Sequence, residues 1–207
     1  MAVRRQDILA WLADLQRIYA DNRDRLTELD SAIGDADHGI NMERGFTAVR
    51  NELAANPPAD IAAIFQTVAT VLIRTVGGAA GPLYGTFFLR AAAACAGKTQ
   101  LETADVVAMF QAGIEGLQQR GKAVPQDKTM VDALLPALDA MKKEGAGLAR
   151  VLEAATAAAE AGMLSTIPMQ ARKGRASYLG ARSIGHQDPG ATSAYLLLKT
   201  AASAWRT

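Results

Sequence analysis

The sequence predicts an all-α, single-domain fold over residues 1–207, in which eight helices pack as an antiparallel bundle. Alanine, the strongest helix former, supplies 43 of the 207 residues, whereas valine and isoleucine together number 20 and aromatic residues make up 5%. Apolar residues recur at helical spacing, and no stretch alternates with a period of two for long enough to build a sheet. Hydrophobic residues make up 50% of the chain, which suffices for one substantial core.

Helical periodicity organises the first half of the chain. An apolar stripe over residues 8–33 indicates one long helix or two short ones. A second helix covers residues 42–53 and ends before Pro57-Pro58, because proline cannot continue a helix. Asp60 caps a third helix, and a fourth follows Gly81-Pro82 into a run of alanines.

The second half predicts four more helices and one long connection. The helices cover residues 103–121, 130–141, 151–164 and 195–205, and mostly short connections favour antiparallel neighbours. Residues 168–190 differ, because they are rich in glycine, polar and basic residues and show little helical periodicity. Long ordered loops of this kind are usually functional.

Charge and cysteine content exclude several classes of protein. The net charge of +1 gives no electrostatic reason to expect nucleic acid or a membrane surface as a partner. No apolar run approaches the roughly 20 residues that span a bilayer, and the first residues do not form a secretory signal. The single cysteine, Cys95, allows no intrachain disulfide. We therefore expect a cytoplasmic protein.

Three carboxylates lie within eight residues where the first helical pattern ends: Asp30, Asp35 and Asp37. Their mutual repulsion is relieved by a hard divalent cation, and Gly34 and Gly39 let the backbone turn so that the carboxylates converge. The pattern does not fit an EF-hand and is more typical of Mg²⁺, which completes its shell with phosphate oxygens. The alternative interpretation is a solvated acidic turn that caps a helix.

Two further segments are complementary to phosphate. A glycine-rich turn over residues 76–85 leads into a helix and presents backbone N–H groups at its N-terminus, although a plain tight turn between helices fits as well. The long loop carries Arg172, Lys173, Arg175 and Arg182, which suit a nucleotide clamp or, alternatively, a solvated face. Together with the carboxylates, these segments predict a site for a magnesium-bound nucleotide.

Four strings carry a resemblance to a known family: GDADHGINMERGF, VGGAAGPLYGTFF, RGKAVPQDKTM and ARKGRASYLGARSIGHQDPGATS. They resemble the nucleotide-binding L subunit of dihydroxyacetone kinase, and the similarity extends over essentially the whole chain. The resemblance implies an eight-helix barrel with ADP or ATP held at one end by two Mg²⁺ ions. The acidic stretch is also similar to one in fatty acid kinases, but the segment from His186 to Gly190 favours the triose kinase.

The resemblance also assigns roles to individual residues. It implies that Asp30, Asp35 and Asp37 ligate Mg²⁺. We further expect Arg175 to be catalytic, neutralising charge on the moving phosphoryl group. Residues that it implies surround the nucleotide are His38, Gly39, Ile40, Asn41, Gly78, Ala79, Ala80, Gly81, Gly121, Met130, Arg175, Asp188, Pro189 and Gly190. By spacing alone, Met130 fits a helix core better than a contact with the adenine ring. Ala80 departs from the family, which commonly has serine there, so we expect nucleotide binding weakened by about 1 kcal/mol.

The resemblance implies partners as well. The triose is held covalently by a separate K subunit, and the length of this chain resembles the bacterial system in which bound ADP is rephosphorylated by a phosphohistidine protein of the sugar phosphotransferase system. Alternatives are an ATP-dependent kinase subunit for another ketose and a non-catalytic helical module that binds nucleotide. A metal-dependent phosphohydrolase with an Asp-x-Asp nucleophile is a further rival, but it requires a strand that the pattern does not show.

Overall fold

A computed structural model describes residues 2–145 and 147–206. Over these residues it contains nine α-helices, one 3₁₀ helix and a pair of two-residue antiparallel strands, which confirms the all-α prediction. None of the described helices is both long and apolar enough to cross a membrane. In chain order the elements are β1 (Val3–Arg4), α1 (Arg5–Asp21), α2 (Arg23–Ile33), α3 (His38–Ala55), α4 (Ile61–Thr75), α5 (Ala80–Ala94), β2 (Gln100–Leu101), α6 (Thr103–Gly121), α7 (Val131–Lys143), α8 (Leu148–Ser165), the 3₁₀ helix (Arg175–Ser183) and α9 (Pro189–Ala204).

Eight of the described helices form a closed ring. Helix α1 packs on α3, each helix from α3 onward packs on the next, and α9 packs back on α1. Helix α2 lies outside this ring and contacts α3, α9 and the 3₁₀ helix. The predicted number of eight helices therefore corresponds to the ring, with α2 as an additional helix against it.

The apolar stripe over residues 8–33 divides into two helices at Asn22. The backbone N–H and the side-chain amide of Asn22 both donate to the carbonyl oxygen of Ile18, at 3.0 and 2.8 Å. The side chain thus gives the Ile18 carbonyl a second hydrogen bond at the point where α1 ends. This settles the alternative left open by the sequence, since α1 and α2 are separate elements.

The aromatic side chains concentrate around Trp11. The rings of Phe65, Phe88, Phe110 and Trp205 have centroids 5.0 to 6.3 Å from that of Trp11. All five side chains are buried, and burial of each contributes roughly 1.5–3 kcal/mol or more to stability. This cluster joins α1, α4, α5 and α6 to the end of the chain, so the ring of helices has a continuous core.

The long connection between α8 and α9 is more ordered than its sequence suggested. It includes the 3₁₀ helix, which bends at Gly180, where φ is 55°. Helix α9 begins at Pro189, earlier than predicted, because the Asp188 carboxylate caps it by accepting from the N–H of Ala191 at 2.7 Å. Proline also suits the first helical position, where its missing N–H costs nothing.

Candidate functional site

The three predicted metal ligands converge in the turn between α2 and α3, hereafter the acidic turn (residues 30–38). Carboxylate oxygens of Asp30, Asp35 and Asp37 all lie within 4.8 Å of one another. Asp30 is buried, Asp37 is half-buried and Asp35 is exposed. Like charges at this separation favour a divalent cation, and oxygen donors suit a hard ion such as Mg²⁺.

Asp30 gives the acidic turn its shape. Its Oδ2 accepts from the backbone N–H groups of Asp37 at 2.9 Å and His38 at 3.1 Å. Gly34 is needed for space, since a Cβ there would lie 2.0 Å from Oδ1 of Asp30. Gly34 also ends α2, with φ −141° and ψ −139°, and the residue of the acidic turn with positive φ is Ala36, at 61°. Gly39 likewise serves close packing, against the carbonyl oxygen of Arg23.

The glycine-rich turn (residues 76–81) forms the opposite wall. Gly78 adopts a φ of 63°, and α5 begins at Ala80 without a side-chain cap at Ala79. At the start of α5, the N–H groups of Ala80 and Gly81 have no partner in their own helix, whereas Pro82 has no N–H and that of Leu83 donates to the carbonyl oxygen of Ala79 at 3.2 Å. An anion site at this helix start stays a prediction. Asn41 packs against Gly77 and accepts a hydrogen bond from Arg44 at 2.6 Å, which holds the glycine-rich turn next to α3.

The start of α9 supplies a third wall. Burial raises the pKa of Asp188 to about 7, although the Ala191 N–H and the charge of Lys128 act in the opposite direction. The backbone N–H of Asp188 donates to Oγ1 of Thr166 at 3.0 Å, which ties this end of the long connection to the end of α8. Asp188 is thus both a helix cap and a wall of the cavity.

His38 is fixed by a buried network on α9 and α5. Its Nε2 lies 2.9 Å from Oγ of Ser193, which in turn donates to the carbonyl oxygen of Gly190 at 3.0 Å and lies 2.8 Å from the hydroxyl of Tyr84. The Ser193 hydroxyl therefore contacts side chains of α3 and α5 as well as the backbone of α9. Burial lowers the pKa of His38, against the raising effect of Asp30 and Asp37.

The connection between α8 and α9, hereafter the cationic loop (residues 166–187), closes the site. It carries four cationic and no acidic side chains. Nη2 of Arg175 lies 3.0 Å from Oδ2 of Asp35, with the two side chains 66% and 34% exposed. An ion pair so accessible to solvent contributes little to stability, but it joins the cationic loop to the acidic turn.

A cavity of about 180 Å³ lies between these walls. It is lined by residues of every second helix connection, as expected for one end of a ring of antiparallel helices. A neighbouring cavity of about 260 Å³ shares Ala79, Leu83, Thr129 and Met130 with it and adds apolar surface from Leu117. Predicted residues that line the main cavity are Asp30, Asp35, Asp37, His38, Asn41, Gly78, Ala79, Ala80, Met130, Arg175, Asp188, Pro189 and Gly190.

Four predicted residues lie elsewhere. Gly121 lines the neighbouring cavity rather than the main one. Gly39, Ile40 and Gly81, all described, line neither cavity. Gly39 packs on α2, Ile40 is half exposed on the surface, and Gly81 packs on the carbonyl oxygen of Val76. These three residues therefore lie next to the segments that line the main cavity, but do not line it themselves.

Sequence reasoning missed Lys128, which lines the main cavity and is only 1% exposed. Lysine is rarely buried, so the residue type gives no sign of this position. One signal could have indicated that Lys128 belongs to the site. It lies in a short polar stretch just before α7, between Gly121 and Met130, which the resemblance assigns to the site.

A comparison with protein families identifies residues 32–203 as a DAK2 domain. The chain belongs to the DAK2 domain family. It is 46% identical over 207 residues to the ADP-binding subunit DhaL of the PEP-dependent dihydroxyacetone kinase of Escherichia coli K12, covering 99% of both chains. This confirms the predicted resemblance to the L subunit of dihydroxyacetone kinase.

Further relatives of this DAK2 domain are also kinases or kinase subunits, which confirms the predicted enzyme class. It is 41% identical over 195 residues to the PTS-dependent DhaL subunit of Lactococcus lactis, covering 93% of both chains. It is 38% identical over 180 residues to human triokinase/FMN cyclase, covering 85% of this chain and 31% of the human protein.

Solved structures show the same fold. The dihydroxyacetone kinase of C. freundii in its native form matches with a TM-score of 0.76 at 24% identity. The match covers 95% of this chain and 34% of that kinase, so the DAK2 domain spans about a third of the length of its structural neighbour. The same kinase in complex with AMP-PNP and Mg²⁺ matches with a TM-score of 0.74.

Proposed function

We propose that this chain is the ADP-binding subunit of a phosphoenolpyruvate-dependent dihydroxyacetone kinase in the cytoplasm. Bound nucleotide passes a phosphoryl group to dihydroxyacetone held on a separate K subunit, and a phosphohistidine protein of the phosphotransferase system rephosphorylates the ADP. The observation that carries the proposal is the cavity, where three carboxylates face an uncapped helix N-terminus and a cationic loop. The 46% identity to the E. coli subunit supports it.

The acidic turn is the proposed metal site. Asp30, Asp35 and Asp37 offer oxygen ligands within 4.8 Å of one another, and these residues would hold the two proposed Mg²⁺ ions. Mg²⁺, when bound, neutralises phosphate charge. The protein's own contribution is to hold the carboxylates together, which Asp30 does through its hydrogen bonds to the backbone of Asp37 and His38.

The nucleotide fits the two connected cavities. We assign the phosphate tail to the main cavity, which Ala79 and Ala80 line and where N–H groups at the start of α5 would offer donors to an anion. We assign the adenine to the neighbouring cavity, because Leu83, Leu117 and Met130 offer apolar surface to a flat ring and Gly121 leaves room for it.

Arg175 is the proposed catalytic residue. Its guanidinium already lies across the cavity beside Asp35, so it needs only a small movement to reach a phosphate oxygen. An arginine in this position neutralises charge that develops on the transferring phosphoryl group.

The experiment that tests the proposal is to purify the chain without added nucleotide, denature it and quantify what is released, with and without prior dialysis against EDTA. Near-stoichiometric ADP that survives purification and is lost with EDTA supports ADP as a fixed cofactor. Matched Asp35→Asn and Asp139→Asn variants locate the metal, since Asp139 is exposed on α7 and lines neither cavity. Only the first variant loses ADP.

Other outcomes favour the alternatives. A chain that emerges empty but binds Mg-ATP reversibly indicates an ATP-dependent kinase subunit, with Ala80 as the first suspect for weak retention. A chain that retains ADP but transfers no phosphoryl group in the presence of a K subunit and the phosphohistidine protein indicates a non-catalytic nucleotide module. Absence of nucleotide binding under every condition refutes the proposal.

A further inference from the structure

The ammonium group of Lys128 lies inside a cage of backbone carbonyl oxygens. Nζ donates to the carbonyl oxygens of Thr166 at 2.8 Å, Met169 at 3.1 Å, Ser183 at 2.8 Å and His186 at 2.5 Å. A ring of carbonyl oxygens around one positive charge is the arrangement by which proteins hold monovalent cations. The ammonium group of Lys128 therefore occupies the position that a bound monovalent cation would take, but it belongs to the protein chain itself.

All four carbonyl groups belong to the cationic loop, 38 to 58 residues away from Lys128 in sequence. Thr166 and Met169 lie at its beginning, whereas Ser183 and His186 lie at its end. One side chain thus gathers both ends of the loop. The backbone N–H of Arg172, which donates to the carbonyl oxygen of Asp127 at 3.0 Å, attaches the loop to the same place.

Lys128 does not have a hydrogen-bond donor left for a phosphate. An ammonium group has three N–H bonds, and four carbonyl oxygens lie within 3.1 Å of it. Although Lys128 lines the main cavity, its donors are directed into the loop rather than to a ligand. Its action on a bound nucleotide is therefore indirect.

The backbone at Lys128 supports a dedicated role for the side chain. Its φ is 62°, a left-handed conformation that costs an L-residue free energy and that glycine adopts freely. Burial also lowers the pKa of Lys128, against the raising effect of Asp188. These costs are offset by the hydrogen bonds of the ammonium group, two of them buried and two partly buried. The Thr166 carbonyl also accepts from the N–H of Met169 at 3.2 Å, so removing the ammonium would take this donor from the other three carbonyls, those of Met169, Ser183 and His186.

We propose that Lys128 is a positioning residue whose ammonium fills a cation site in the cationic loop and so holds Arg175 and Lys173 at the mouth of the cavity. Without the lysine side chain, the same cage would take a small alkylammonium or a monovalent cation. The effect on nucleotide retention rests on the function proposed above. The effect on the loop does not.

The test compares Lys128→Ala, Lys128→Met and, as matched control, Lys142→Met, which changes an exposed lysine of α7. Hydrogen exchange of the amides of Ala171, Arg172 and Gly185 reports loop order without any nucleotide. We expect exchange to accelerate at least about tenfold in both Lys128 variants and not in the control, because charge-assisted hydrogen bonds are lost. The ADP dissociation rate rises by a similar factor.

Rescue separates positioning from mere packing. Propylammonium replaces the atoms that Lys128→Ala removes and restores slow exchange and slow ADP release, whereas it has no effect on Lys128→Met, whose side chain fills the space. Tetramethylammonium, which has no N–H donor, does not rescue. Wild-type exchange rates in Lys128→Met, or rescue that is equal for both ammonium ions, would overturn the proposal.

Further outcomes keep the two proposals distinguishable. Loss of ADP without faster loop exchange shows direct contact between Lys128 and the nucleotide and overturns the positioning role. Faster loop exchange with rescue, in a protein that binds no nucleotide, confirms the cage and refutes the proposed function alone. If neither Lys128 variant folds, NMR of the wild-type protein tests the cage by measuring how fast the lysine ammonium protons exchange with water. Ammonium protons of Lys128 that exchange with water as fast as those of Lys142 refute the cage.

Discussion

The acidic turn and the cationic loop meet across the main cavity through Arg175 and Asp35, but different kinds of contact hold them in shape. In the acidic turn, Asp30 bonds to backbone N–H groups seven and eight residues further along the chain. In the cationic loop, the backbone carbonyls bond to Lys128, at least 38 residues away. The first shape is local, whereas the second depends on the assembled ring of helices.

This difference has consequences for binding and dynamics. A turn held by its own short-range hydrogen bonds presents its carboxylates in a fixed arrangement, as a metal site needs. A loop held at its two ends by one side chain presents Arg175 and Tyr178 as exposed side chains in its middle, while Ala176 packs with Ile33 of α2. We infer that metal affinity is set by the acidic turn and that access and release are set by the cationic loop.

The largest expected effect is the loss of phosphoryl transfer when a carboxylate of the acidic turn is removed. Variants of Asp35 and Asp30 separate metal binding from the structural role of this turn. Asp35→Ala abolishes phosphoryl transfer, by more than about 10³-fold, because bound metal supplies several kcal/mol of charge stabilisation. Its melting temperature stays close to that of the wild type, since Asp35 is exposed and makes one weakly stabilising ion pair. Coupled transfer assays and thermal unfolding measure the two quantities.

Asp30→Ala is the partner experiment to Asp35→Ala. It abolishes transfer equally but also costs about 1–2 kcal/mol of stability, because it removes the acceptor of two backbone N–H groups. Asp139→Asn leaves both quantities unchanged. Retained transfer in Asp35→Ala at saturating Mg²⁺ would refute the assigned ligand set, and equal stability of the two variants would refute the structural role of Asp30.

A smaller effect is expected on the loop side. Arg175→Gln lowers the rate of transfer about 100-fold, a loss typical of removing one group that stabilises transition-state charge. The same change slightly tightens the binding of Mg²⁺ alone, because a competing cation beside Asp35 is lost. Single-turnover kinetics measure the decrease in transfer rate, and metal titration measures the increase in Mg²⁺ affinity.

Arg182→Gln is the matched control for Arg175→Gln. Arg182 lies in the same loop, is exposed and lines neither cavity. We expect it to leave both the transfer rate and the metal affinity at wild-type values. If the two arginine variants lose activity to the same extent, general loop charge rather than a specific clamp is responsible.

The contrast between local and distant contacts also explains how much the sequence reveals. Apolar stripes at helical spacing identify the helices because each stripe is a property of its own segment. The cluster of Asp30, Asp35 and Asp37 was predictable for the same reason, since eight residues contain all of it. The division at Asn22 stayed open, because it depends on one side-chain hydrogen bond to Ile18.

Features that depend on distant contacts were not predictable. Nothing in the residues around Lys128 indicates that its side chain is buried, because its partners are carbonyl groups, which every residue has. The network of His38, Ser193 and Tyr84 likewise joins three helices that are far apart in sequence. The need for Gly34 follows from the position of the Asp30 carboxylate rather than from any turn pattern.

The smallest expected effect concerns the glycine-rich turn, which belongs to neither region and contacts the phosphate tail in the proposed complex. Ala80 is the first residue of α5 and lines the main cavity with a side chain that has no donor. Ala80→Ser adds a hydroxyl group next to free backbone N–H groups, so we expect nucleotide to bind about fivefold more tightly, or about 1 kcal/mol. Calorimetric titration of nucleotide-free protein measures the change.

Ala93→Ser serves as the control for Ala80→Ser, because it makes the same substitution at an exposed position of the same helix. It changes helix propensity to a similar extent but lies outside both cavities, so its nucleotide affinity equals that of the wild type. Slower ADP release in Ala80→Ser alone would place the phosphate tail at the start of α5. An unchanged or lower affinity would instead place the phosphates closer to the acidic turn and the cationic loop, with the glycine-rich turn acting only as a tight connection between α4 and α5.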